Sequence, residues 1–138
     1  KYAPDSDIII KSAAVADYRP VNVAAEKIKK SDSDTDNSIA LERTTDILAT
    51  LGRNKKPGQL LCGFSMETEN MLENSRKKLI KKNADIIAAN SLRQEGAGFG
   101  TDTNVLTLIT KDSEESLDIM SKEAAAGKLL DKIAAMMP

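Results

Sequence analysis

Apolar residues in this chain fall in short dense runs, separated by polar stretches of helical or turn character. The run SDIIIKSAAVA is β-branched at Ile8–Ile10 and passes into small residues. It reads as a buried strand that ends at a loop needing close backbone approach. ADYRP follows as a charged turn in which Pro20 keeps Arg19 out of helical geometry. SIALER predicts a short strand with Ile39 and Leu41 on one face. TTDILATLG predicts a short helix with Thr45 as N-cap, Asp46 in the first turn and Gly52 just past the end. NKKPG is a turn, and QLLCGFS a second buried strand, Gln59–Ser65. Met71–Lys82 has the clearest helical pattern, with Asn70 and Glu73 spaced like a capping box. ADIIAAN gives a third strand at Asp85–Asn90 and VLTLIT a fourth at Val105–Thr110. The closing segment Ser121–Met137 sets Ala126, Leu129, Leu130, Ile133 and Met137 on one stripe that should pack on the sheet.

Alternation of near-continuous apolar strands with helices indicates an α/β fold of one domain over residues 1–138, with a mostly parallel sheet covered by helices. Ligands of such sheets sit outside the carboxyl ends of the strands. The segments Ser12–Arg19, Gly63–Thr68 and Asn90–Asn104 follow directly on predicted strands, so they should converge on one edge.

Composition narrows the chemistry that edge can host. A formal net charge of −1 over 138 residues gives no global attraction to nucleic acid or anionic membrane, so any electrostatic function is local. No apolar run approaches the roughly 18–20 residues of a membrane span, and KYAPDSDIII lacks a secretory-signal pattern. The single cysteine, Cys62, rules out an internal disulfide framework and fits a reducing compartment, so cytoplasm is expected. There is no histidine, hence no Ser-His-Asp triad and no His-ligated zinc. Trp is absent and aromatics make up only 3%, which argues against base stacking on single-stranded nucleic acid. What remains is Lys, Asp, Asn, backbone amides or an external ion.

Lysine placement is the most informative residue-level signal. EKIKK concentrates Lys27, Lys29 and Lys30 just before the polar tract Ser31–Asn37, which has no apolar periodicity. As a solvated charge run it would be unremarked; as a strip closing over a polyanionic substrate it would gain Coulomb energy and exclude water. In NMLENSRKKLIKKN, Glu73 precedes Lys77 by four residues and supplies an ordinary surface partner. Lys78 and Lys82 lack such a partner and face each other at i, i+4, which costs a few tenths of a kcal/mol, roughly, unless an anion lies between them. The helix dipole near the C-terminal end offsets part of that. GAGFG has the wrong spacing for a dinucleotide fingerprint and precedes a strand, so a turn with positive φ accounts for it better. Cys62 reads as a small core residue, and Asp17 as an isolated acid in a cleft position.

Taken together, AAVADYRP, EKIKK, GFSMET, the KKLIKKN–ADIIAAN pair and GFGTDTN resemble, in order and spacing from Asp7 to about Thr110, the signature series of bacterial phosphopantothenate–cysteine ligase. The same enzyme is called phosphopantothenoylcysteine synthetase, the ligase half of the bifunctional coenzyme A flavoprotein. The resemblance implies a Rossmann-like three-layer sandwich. It implies a reaction in which CTP, with Mg²⁺, converts the carboxylate of 4′-phosphopantothenate to an acyl cytidylate that the amine of cysteine then attacks. It places nucleotide contacts at Lys11, Ser12, Ala13, Asp17, Lys27, Thr45, Asp46, Ile47, Leu48, Phe64, Lys78 and Lys82. Residues 27–38 would form a mobile flap with Lys27 as its catalytic member. Phe64 would be an apolar wall beside the nucleotide. Thr45 departs from family members with proline there; a backbone contact should survive the change.

The resemblance also implies a Gly-rich strand–loop–helix and a Ser-Ser-Gly element ahead of Lys1, so that the chain is the carboxy-terminal part of the domain with its first strands missing. A homodimer and a fused or associated phosphopantothenoylcysteine decarboxylase are expected partners; nucleic acid and membrane are not. Two other readings compete: a non-catalytic nucleotide-binding or dimerisation module of the same fold, and an NADP-binding Rossmann-like domain, which the missing fingerprint disfavours.

Overall fold

Residues 2–27, 38–67, 69–91 and 102–137 are described in a computed structural model of the chain. In chain order a single 3-10 turn, Ala3–Asp5, is followed by β1 (Ile8–Lys11), β2 (Tyr18–Pro20), β3 (Leu41–Arg43), α1 (Ile47–Arg53), β4 (Leu60–Glu67) and α2 (Met71–Lys81). Then come β5 (Ile86–Ser91), β6 (Thr103–Asn104), β7 (Leu106–Thr110), β8 (Glu114–Ser116), β9 (Met120–Ser121) and α3 (Lys122–Met136). The chain divides into two units, residues 1–12 with 47–138, and residues 13–46.

The larger unit is a five-stranded sheet in the order β1-β4-β5-β7-β8. β1, β4 and β5 are parallel neighbours, and β7 alone runs against the others. Side chains alternate between the two faces along each strand. Leu60, Cys62, Ile86, Ala88, Leu106 and Leu108 therefore share one face, which Ala125, Leu129 and Ile133 of α3 cover. Leu61, Ile87, Ala89 and Ile109 share the other, covered by Leu48 of α1 and Leu79 of α2. Helices on both faces of the sheet make the expected three-layer α/β arrangement.

Several local expectations need correction. Among the described residues β1 has β4 alone beside it, and Ile8 and Ile10 are 38% and 39% exposed while Ile9 joins the core under α1 and α2. Gly52 lies inside α1 rather than past its end. It is placed there by packing: a Cβ at Gly52 would sit 1.8 Å from the Lys82 carbonyl oxygen. Because α1 begins at Ile47, Asp46 and not Thr45 occupies the preceding position. Asn70 precedes α2 in a left-handed conformation (φ 50°) and makes no side-chain cap bond. Asn74 orders that corner instead, donating to the Glu67 carboxylate and the Glu69 carbonyl. In α3 the cap is Ser121, whose hydroxyl accepts from the Ala124 amide at 3.1 Å. The buried stripe there is Ala125, Leu129 and Ile133; Ala126 and Leu130 are exposed, one residue off the expected face.

The smaller unit is built on an antiparallel pair, β2 with β3, rather than on a turn at ADYRP. Arg19 is extended, as the following proline requires, and its guanidinium holds the Glu42 carboxylate at 2.7 Å. The Thr44 hydroxyl and amide close the end of the pair on the carbonyls of Ala16 and Asp17. Arg43 stacks over the Tyr18 ring at 5.8 Å. Of the segment 27–38, only Lys27 and Ser38 are among the described residues; Lys29, Lys30 and the tract Ser31–Asn37 lie outside them, as does GAGFG.

Candidate functional site

The parallel run of β1, β4 and β5 brings the carboxyl ends Lys11, Glu67 and Ser91 to one edge of the sheet. There β1 pairs with β4 only as far as Lys11 opposite Gly63. One residue on, at the level of Ser12, the Phe64 carbonyl oxygen accepts a hydrogen bond from the Lys78 ammonium at 2.9 Å. The larger unit thus joins two predicted nucleotide contacts directly, next to a third and fourth at Lys11 and Ser12.

Local sequence explains this convergence. Gly63 has no side chain because Leu48 fills the space: a Cβ there would lie 2.7 Å from Leu48 Cδ2 and 3.0 Å from Ile87 Cδ1. The first turn of α1, carrying Ile47 and Leu48, is thereby seated on β4 beside the end of β1. α2 is pinned one turn before Lys78 by a hydroxyl pair, Ser75 Oγ to Ser65 Oγ at 2.6 Å, with both residues buried. A satisfied polar pair in an apolar layer sets the rotation of the helix, since either hydroxyl left alone would be costly. Lys78 is half-buried, so its charge is partly withdrawn from water.

Lys82 caps α2 and sits one turn, about 6 Å along the axis, further from the strand ends than Lys78. Its amide donates to the Lys78 carbonyl at 2.9 Å, and its own carbonyl abuts Gly52. Lys77 pairs with Glu73 at 2.6 Å as its spacing predicts, which holds the Glu73 carboxyl below its ordinary range. The Phe64 ring is on the α3 face, packed against that core, so the group it turns toward Lys78 is its carbonyl. Ala13, Asp17, Lys27, Thr45 and Asp46 belong to the smaller unit. Within it the Asp17 and Lys27 side chains are exposed, and the Asp17 carbonyl is used by Thr44. Cys62 is fully buried, and burial pushes its thiol up to about 12, so it is an inert core group.

A groove of about 770 Å³ opens at the other end of the sheet, between Ala84–Asp85, Thr110–Ser113 and Met136. Its size is that of a ligand pocket, and two of its charged side chains, Asp85 and Lys132, are engaged within the fold. Asp85 takes the Lys55 ammonium and the Leu61 amide, each at 2.7 Å, and Lys132 pairs with Glu115 at 3.0 Å. It contains none of the expected contacts.

Two groups escaped the sequence reading. Ser75 lies four residues before Leu79 on the buried stripe of α2, and Ser65 is in phase with Leu61 and Gly63. Their shared phase was the available signal for a buried polar pair. Asn90 lies in phase with Ile86 and Ala88 on the α3 face, so a carboxamide was due to enter the core there.

A mostly parallel sheet with helices on both faces, and with Lys11, the Phe64 carbonyl and Lys78 near the carboxyl end of its parallel strands, defines an open α/β domain. The family can be stated: residues 1–137 match the DNA/pantothenate metabolism flavoprotein C-terminal domain, and the chain belongs to that family. It is 47% identical over 132 residues to the coenzyme A biosynthesis bifunctional protein CoaBC of Bacillus subtilis (strain 168), covering 95% of this chain and 32% of that protein. The crystal structure of the C-terminal domain of a coenzyme A biosynthesis bifunctional protein CoaBC matches with a TM-score of 0.75 at 38% identity, over 98% of this chain and 57% of that one. The DNA/pantothenate metabolism flavoprotein from Streptococcus pneumoniae matches with a TM-score of 0.71 at 30% identity, over 96% of this chain and 62% of that one. The chain thus spans about a third of the length of its curated relative. Among the described residues no helix is long and apolar enough to cross a membrane.

Proposed function

We propose that the chain supplies the nucleotide-handling part of a CTP-dependent phosphopantothenate–cysteine ligase in coenzyme A biosynthesis. The observation that carries this reading is the Lys78–Phe64 bond beside the end of β1, in a chain whose relative is named for coenzyme A biosynthesis. In the proposed reaction a carboxylate oxygen of 4′-phosphopantothenate attacks the α-phosphorus of CTP, and pyrophosphate leaves. The amine of cysteine then attacks the acyl carbon, loses a proton, and CMP leaves with the carboxyl-derived oxygen. Both steps turn on holding phosphates and stabilising charge, which lysines and backbone groups do without an acid–base histidine.

On this reading Lys78 and Lys82 bind phosphate oxygens, Lys11, Ser12 and the start of α1 line the nucleotide, and Lys27 acts on the activated acyl group. Mg²⁺ would arrive on the triphosphate. Among the described residues no three carboxylate or thiolate side chains are grouped to hold a metal, so phosphate and water would be its main ligands, as is usual for this ion. A homodimer is proposed because Tyr18, Val21, Val23, Ile39 and Leu41 of the smaller unit are exposed apolar side chains. A decarboxylase on the same or an associated chain and a cytoplasmic setting complete the proposal.

The test is to supply the complete polypeptide with 4′-phosphopantothenate, cysteine, CTP and Mg²⁺ and to follow pyrophosphate. Release that requires both CTP and 4′-phosphopantothenate supports the reading. No release, with NADP and not CTP raising the melting temperature, would replace it with the oxidoreductase fold.

A further inference from the structure

Among the described residues of the larger unit, two carboxylates are half-buried, Glu67 and Asp85. They are held differently. Asp85, just before β5, takes the Lys55 ammonium and the Leu61 amide, each at 2.7 Å, so the fold itself neutralises it. Glu67, the last residue of β4, takes a neutral donor, the Asn74 carboxamide at 3.3 Å, and no lysine or arginine among the described residues pairs with it. Asn74 is itself tied to the Glu69 carbonyl at 3.1 Å, so the Glu67 carboxylate is oriented without being neutralised. α2 carries Arg76, Lys77, Lys78 and Lys81, yet the side chain it sets against Glu67 is an asparagine. A charge partly withdrawn from water is costly without a counter-charge, and at Glu67 the fold supplies none.

Position gives that charge a use. Glu67 stands at the carboxyl edge of the parallel strands, where ligands of such sheets bind. β1 pairs with β4 no further than Gly63, so Glu67 lies beyond the paired part on that side. Asn74 and Lys78, one turn apart on α2, meet β4 at Glu67 and at the Phe64 carbonyl. The carboxylate therefore stands about 10 Å along the strand from the point where the ammonium is held. One strand end thus offers a cation and, beyond it, an anion.

We infer that Glu67 binds the cationic amino group of the amino-acid substrate. A nucleotide hydroxyl would be served as well by a carboxamide, whereas an ammonium group needs the charge. The inference rests on the ligase reading, in which cysteine is that substrate, and it adds an amino-group site that the lysines cannot supply.

The test uses the complete polypeptide with Glu67→Gln, which keeps an oxygen for Asn74 and removes the charge. Acyl cytidylate formation from CTP and 4′-phosphopantothenate, without cysteine, should stay within about twofold of wild type, while KM for cysteine rises at least about tenfold. Hydroxylamine, largely uncharged at neutral pH, should capture the acyl cytidylate equally well in both proteins. An unchanged KM for cysteine overturns the inference. So does an equal loss of hydroxylamine capture, which would make Glu67 a structural residue. Weakened CTP affinity with an unchanged KM for cysteine would assign the carboxylate to a nucleotide hydroxyl and overturn it too. Absence of acyl cytidylate with the wild-type protein would overturn the ligase reading itself, and this inference with it.

Discussion

The same substitution, glycine to alanine, should act in opposite directions at two helical positions. Gly52 lies in α1 where a Cβ would stand 1.8 Å from the Lys82 carbonyl oxygen and 2.9 Å from its carbon. An ordinary carbon–oxygen contact is about 3.3 Å. The C-terminal ends of α1 and α2 would therefore have to separate by more than an ångström, and the obstacle is backbone, which cannot rotate away. That motion would also strain the bond of 2.9 Å from the Asn83 carboxamide to the Gly52 carbonyl. Overpacking of this kind costs about 1–3 kcal/mol, more where backbone must move, against a gain in helix propensity of about 1 kcal/mol. Gly127, inside α3, has nothing within 4 Å of its would-be Cβ, so there only the propensity gain remains. With an unfolding entropy of about 2.1 cal/mol/K per residue, 1 kcal/mol corresponds to roughly 3 °C for a chain of 138 residues. Calorimetric melting should show Gly52→Ala lower by up to about 7 °C, the upper end being favoured because backbone must move, and Gly127→Ala higher by about 3 °C. Shifts of the same sign, or a Gly52→Ala variant melting at the wild-type temperature, would refute the packing argument.

Lys78→Met should keep much of the aliphatic packing but lose the donor to Phe64, weakening CTP binding by about 1.5–3 kcal/mol, the usual worth of a charged hydrogen bond; unchanged affinity by calorimetry returns Lys78 to a structural role. Lys27→Gln should lower turnover far more than CTP affinity and let acyl cytidylate accumulate in a quench assay; wild-type turnover would remove Lys27 from the chemistry. The Cys62 thiol should resist a disulfide reagent at pH 8 until denaturant is added. Its raised folded-state value, about 12 against 9.0, makes the folded state bind more protons than the unfolded state above pH 9. Its contribution to stability is therefore complete below pH 9 and declines by up to about 1.4 kcal/mol per pH unit toward pH 12. A Cys62→Ala variant with the same alkaline stability slope would contradict this.

Much of the larger unit was legible because its strands and helices carry their own periodicity: Leu60–Glu67, Met71–Lys81 and Ile86–Ser91 lie within two residues of the predicted spans. What sequence could not show was how elements meet. Gly52 reads as a helix stop from local chemistry alone, and only the approach of the Lys82 carbonyl explains it inside α1. Asn70 has the spacing of a capping box, yet its left-handed backbone gives the corner to Asn74. β2 and β3 pair across more than twenty residues, too distant for turn chemistry to reveal. For the candidate site, spacing along α2 drew attention to Lys78, whereas the strand carbonyl it donates to, that of Phe64, leaves no trace in composition.

Phe64 is where these observations join. Its carbonyl takes the Lys78 ammonium, on the α2 that covers one face of the sheet, while its ring lies on the other face beside Met66 and Asn90. A strand alternates its side chains between faces, so one residue at the end of β4 serves both. On the proposed reading the phosphates would lie toward Lys78, beside the end of β4. The reacting carboxylate would then have to reach the same strand end to meet the α-phosphorus. β1 stops pairing with β4 at Gly63, one residue short of Phe64. A continued β1 ladder would occupy that edge; on the proposed reading its end there leaves room for a ligand beside the Phe64 carbonyl.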